Sequence, residues 1–297
     1  MFIRLTSQWC LLTVLAVFLA TSRSTAEDSD QPAAAPKTLR ELIDASLSWY
    51  EVLPDAEAKE PAKALTVLRW ANNQRGSEDG VTVLFVHGGR PLAAACIYPW
   101  AQRLEHDFES LSRGKIVARR NGAVVWQPQE SGVKFADIPG APSFEETRPQ
   151  RLRQMKSLAE KFQATLLGWK RDNSDREELR LLTRPLYRYD PKEGPVIDGA
   201  VFAFAMGTDP EVLLLIEAVK EGDAAKWQYA FARRTSGELE GRFGDEVVWQ
   251  AARFPTQSDP GLPHFTRGTP LPPGLVEASG TRRVTDGPAA TKENRTP

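Results

Sequence analysis

Cysteine, histidine and methionine are all scarce in these 297 residues, with 2, 3 and 3 copies. That shortage excludes a disulfide-stapled miniprotein and a Cys/His metal ladder. A surplus of one charge is lacking too. The 38 Lys and Arg face 39 Asp and Glu, so no basic excess marks a binder of phosphate backbones, and no nucleic-acid partner is expected. The chain holds no G-x-S-x-G pentapeptide, no G-x-x-x-x-G-K-[ST] loop and no dinucleotide fingerprint. No cofactor and no metal are expected.

What is present begins with a targeting pattern. Arg4 precedes the apolar run Cys10–Ala20, and small residues follow at Ser24-Thr25-Ala26. This is the layout of a secretory signal peptide over 1–26, too short for a comfortable membrane span. Cleavage after Ala26 is expected to leave an exported chain, periplasmic or extracellular, with no transmembrane domain. It also removes Cys10 and leaves Cys96 without a partner. Cys96 lies in the apolar run Leu92–Tyr98, where a free thiol behaves as a small buried hydrophobe. Residues 27–37, with Pro32, Pro36 and three consecutive alanines, read as a flexible leader.

The chain aligns with itself. Residues 79–99, DGVTVLFVHGGRPLAAACIYP, match 198–218, DGAVFAFAMGTDPEVLLLIEA, at an offset of 119; residues 113–127 match 236–250 at an offset of 123 and share Val-Val-Trp-Gln. Before each block comes a helical pattern. Leu39, Leu42, Ile43 and Leu47 have amphipathic spacing behind Thr38, and residues 150–169 place Leu152, Met155, Leu158, Phe162 and Leu166 on one face. Strand-like runs follow at Ala64–Ala71 and at Glu178–Tyr189, where Pro185 suggests an edge or a bulge. Turns fall at Gly88-Gly89 and Gly207-Thr208, and the apolar arms after them imply strands covered on both faces. The expectation is therefore an α+β fold of two tandem repeats, each a helix packed on a curved antiparallel sheet of about five strands. The units are 38–127 and 150–254, joined by a connector at 128–149 and followed by a disordered Pro/Gly-rich tail at 255–297.

The element order resembles cystatin-like and NTF2-like α+β units. The runs LRLLTRPLYRYD (179–190) and DGAVFAFAMGTDPEVLLLIEA (198–218), with YPW at 98–100, resemble an uncharacterised family of exported bacterial proteins. That resemblance implies a recurring fold and no activity, ligand or catalytic residue.

Chemistry is harder to find. Val83–Gly89 ends in His-Gly-Gly like an oxyanion loop, but His87 aligns with Met206, which makes the glycines a hairpin turn. His106 and Asp107 are strand neighbours that point to opposite faces, so adjacency does not make them a dyad. His87 and His106 read as partly exposed strand-end residues, His264 as part of the tail. Arg119-Arg120 and Arg233-Arg234 read as solvated strand edges. Trp126/Trp249 and Trp49/Trp169 occupy matching places and suit a core, whereas Trp70, Trp100 and Trp227 have no counterpart. Those three, with Arg69 and His87, are the candidate binding contacts. The function expected is a non-catalytic exported protein that binds an envelope protein, glycan or small ligand. The alternatives are a pocketed enzyme using a His/carboxylate acid–base pair and a self-associating envelope scaffold.

Overall fold

Thr38 begins the first described element as its sequence suggests. In a computed structural model that describes residues 36–72, 77–168, 176–222, 224–254 and 259–276, its Oγ1 accepts a hydrogen bond from the Glu41 amide (3.1 Å). The Glu41 carboxylate accepts one back from the Thr38 amide (3.2 Å), a capping box. The signal peptide expected at 1–26 and Trp169 lie outside the described residues.

Helix α1 (Leu39–Ser46) runs into a 3-10 turn, and seven strands follow: β1 (Glu51–Leu53), β2 (Lys63–Asn72), β3 (Ser77–His87), β4 (Arg90–Trp100), β5 (Arg103–Ser110), β6 (Val117–Arg120) and β7 (Ala123–Trp126). The short β8 (Ala136–Asp137) precedes α2 (Arg148–Ala159). Then come β9 (Phe162–Leu167), β10 (Arg176–Tyr189), β11 (Val196–Met206), β12 (Asp209–Glu221), β13 (Ala224–Arg233), β14 (Glu238–Phe243) and β15 (Glu246–Ala251). Strand β16 (His264–Pro270) and α3 (Pro273–Val276) close the described chain.

The expected α+β class is overturned. Strands hold 56% of the described residues and helices 12%, in three antiparallel sheets of 3, 5 and 8 strands. The sheet orders are β1-β6-β7, then β16-β5-β4-β3-β2, then β15-β14-β9-β10-β11-β12-β13-β8. The aligned segments do fall on β3–β4 and β11–β12, and on the β6–β7 and β14–β15 hairpins. They do not sit in two equal helix-on-sheet units. The second half is one continuous eight-stranded sheet, and the first is divided between two. One edge of each of the two larger sheets is a strand from outside the expected units: β8 from the connector pairs with β13, and β16 from the expected tail pairs with β5.

Two local misreadings account for much of the difference. The expected second helix ends at Ala159, because Phe162, Ala164 and Leu166 lie two apart and turn one apolar face inward as β9. Within the aligned segment 113–127 the chain folds back at Asn121-Gly122, where both residues have positive φ (51° and 77°), so it makes two strands and not one. Asn-Gly is the preferred pair for such a hairpin.

Three cores explain why β3, β4, β11 and β12 are so uniformly apolar. Val83 and Phe85 face an outer core under α1, while Leu84 and Val86 face a central core. Val201, Ala203, Leu213 and Leu215 meet them there from the eight-stranded sheet, and Phe202, Phe204, Leu214 and Ile216 point to a third core under α2. The five- and eight-stranded sheets thus pack face to face, each with its other side covered too. No helix among the described residues is long and apolar enough to cross a membrane.

Candidate functional site

The structure does not gather the five residues singled out by sequence. Arg69 ion-pairs with Asp44 of α1. Trp70 is buried, with its ring against Gly80, where a Cβ would come within 2.5 Å, and 5.8 Å from the ring of Tyr98. Trp100 is 44% exposed beyond the same end of the sheet. His87 lies at the opposite end of β3, seven residues or about 23 Å away. Trp227 is buried in the third core, edge-on to Phe144.

Polar groups converge instead between the sheets. Arg234, expected on a solvated edge, is buried and donates to the Asp107 carbonyl (3.1 Å). Tyr98 Oη donates to the Asp107 carboxylate (2.8 Å). His264, expected in a tail, is buried on β16 with Nδ1 3.1 Å from the Glu109 carboxylate. Arg233 is buried as well, donating to the carbonyls of Gly237 (2.8 Å) and Ala252 (2.7 Å). Cys96 joins this cluster, and burial pushes its thiol up to about 11, against the pull of Arg234, so it stays protonated and unreactive. Asp107, Glu109, Arg234, His264 and Cys96 are all shut from solvent, and this arrangement fastens layers rather than presenting groups to a substrate.

A second histidine departs from its reading. His106 is fully buried on the outer-core side of β5, its ring 5.6 Å from that of Trp49 and 5.2 Å from that of Tyr50. The main chains of Leu104 and Arg267 lie near enough to favour its charged form slightly, yet neither ring nitrogen completes a hydrogen bond. Burial, then the guanidinium of Arg120 and more weakly that of Arg267, drives its pKa down to about 4. The unfolded chain binds a proton near pH 6.5. His106 therefore leaves stability intact above about pH 6.5 and withdraws it as pH falls toward 4, by roughly 3 kcal/mol in all. Urea unfolding from pH 7 to 4 should show His106→Phe losing less stability than the wild type; parallel curves would contradict this.

Arg120 is the residue that sequence reasoning missed. It stacks over Trp49 (4.5 Å) and Tyr50 (5.4 Å) and donates from Nη1 to Tyr50 Oη (3.3 Å) and Thr269 Oγ1 (3.1 Å). Its side chain lines a groove of about 530 Å³ between the β6–β7 hairpin and β16, with Asn121, Val125, Arg267 and Thr269. Near Trp126 the two walls are held together, where Nε1 donates to the Leu262 carbonyl (2.8 Å). Among the described residues no carboxylate forms an ion pair with Arg120 or Arg267. Two guanidiniums facing one groove form a seat for an anion, since each offers a planar fork of donors. The Asn121-Gly122 turn was the available signal, for it sets Arg120 opposite Ala123 at a hairpin tip. Its partner wall, β16, had none.

Fold and site together define a layered β protein with a basic groove on its outer layer. Compared with protein-family models, with curated proteins and with solved structures, the chain has no match in any of the three.

Proposed function

We propose that this is an exported, non-catalytic binding protein that takes an anionic ligand, through a carboxylate or phosphate group, in the groove between β7 and β16. The observation that carries the reading is the pair of guanidiniums, Arg120 and Arg267, on one groove with no carboxylate partner among the described residues. Aromatic stacking holds Arg120 in place beforehand, so little side-chain entropy is lost when an anion arrives. The groove's size suits a small ligand or one residue of a larger one. Against an acid–base enzyme stands the burial of the His264–Glu109 pair, closed between two sheets.

Calorimetric titration with citrate and inorganic phosphate tests the reading. The wild type should bind at least one of them, and Arg120→Gln and Arg267→Gln should each weaken binding by about 10-fold or more, the scale of one hydrogen bond to a charged group. No binding by the wild type, or equal binding by the double variant, would overturn it. Export rests on the leader sequence, and mass spectrometry should find a mature N-terminus at Glu27.

A further inference from the structure

We propose a second binding site, independent of the first, in the seam between β2 and β10, and that it takes an amphiphile consisting of an alkyl chain with an anionic head. Both strands are irregular where they face this seam. In β2 the pairing with β3 jumps from Thr66↔Val83 to Leu68↔Thr82, leaving Val67 extra. In β10 the pairing with β11 jumps from Leu182↔Ala203 to Tyr187↔Val201, so Thr183–Leu186 stand opposite Phe202 alone. Pro185 sits in that bulge, where its missing N–H costs the ladder nothing. Bulges re-aim side chains and recur beside functional sites.

The two bulges enclose a groove of about 470 Å³ whose lining is segregated by chemistry. Val67, Leu68, Leu182 and Leu186 are half-buried, and all but Leu68 pack on the central core. Arg180 and Arg184 are exposed and stand above them. Arg180 is held by donating to the Gly207 carbonyl (2.9 Å), and among the described residues neither arginine has an ion-pair partner. An aliphatic floor under two cations matches an alkyl chain ending in a carboxylate. A peptide strand added to the edge of β2 is disfavoured, because the jumps at Thr66/Leu68 and Trp70/Asn72 break the regular backbone spacing that a new strand needs.

Equilibrium dialysis of the full chain with laurate, below its micelle concentration, and with dodecyltrimethylammonium as the opposite-charge control tests this. Laurate should bind one to one, and the cationic analogue at least about 10-fold more weakly. Arg184→Glu, at an exposed position, should weaken laurate by about 10-fold without altering the melting temperature, on the scale of one charge-assisted contact. A photoactivatable fatty acid should label residues 65–68 or 182–186. Equal affinity for the two amphiphiles, laurate binding unmoved by Arg184→Glu, or labelling elsewhere would each overturn the proposal. None of these results depends on the Arg120 groove.

Discussion

Replacing Glu217 by alanine lowers stability by about 3–5 kcal/mol, the cost of breaking a buried ion pair by removing one partner. In a protein of this size the melting temperature should fall by roughly 10 °C. Glu217 is fully buried on β12, yet all its partners are strong donors. Its Oε1 accepts from Arg90 Nε (3.1 Å), Arg90 Nη2 (2.9 Å) and Tyr189 Oη (2.8 Å), and its Oε2 from Arg113 Nη2 (2.8 Å). Arg90 opens β4 and Tyr189 ends β10, so one carboxylate fastens the five-stranded sheet to the eight-stranded one. Its loss strands a largely buried guanidinium and a buried phenol whose ionisation burial already opposes. Arg113 is half-exposed, and Arg113→Ala should cost no more than about 1 kcal/mol. Thermal melts of the two variants check both figures; a Glu217→Ala protein melting within a degree or two of the wild type would refute the account.

Arg234→Met should be nearly as damaging, again about 3–5 kcal/mol at neutral pH. This guanidinium follows β13 and is buried beside the charges of Asp107 and Glu109 and the thiol of Cys96. Methionine fills much of the space and leaves two buried carboxylates short of a cation. Urea unfolding of the variant at neutral pH tests this; an Arg234→Met protein within about 1 kcal/mol of the wild type would assign Arg234 a packing role alone.

How far residues betray their place depends on where their partners come from. The turns at Gly88-Gly89 and Gly207-Thr208 were legible because positive φ is a local demand, met here by glycines with φ between 57° and 86°. The uniform apolarity of β4 and β12 was legible as double-sided burial, although the layer covering them was not. The end of α2 was ambiguous, since Phe162 and Leu166 fit a helical stripe as well as alternate places on a strand. Burial of His264, Arg233 and Arg234 could not be read at all. Each polar side chain is acceptable inside only because of a carboxylate or carbonyl elsewhere in the chain, as with Glu109, 155 residues before His264. Arg120 escaped for the same reason: its aromatic bed comes from Trp49 and Tyr50, and its groove from a strand with Phe265 as its one large apolar residue.

Strand β16 has a consequence for how the molecule is made. A chain is synthesised N-terminus first, so the hydrogen-bonding edge of β5 emerges more than 150 residues before the strand that covers it. Until residue 270 arrives, β5 offers its backbone to any neighbouring nascent chain. Pairing across so long a span also makes closure of the five-stranded sheet a late and slow event in folding. Chains stopped after Ala252 would carry that open edge permanently and self-associate, while the full chain hides it beneath β16.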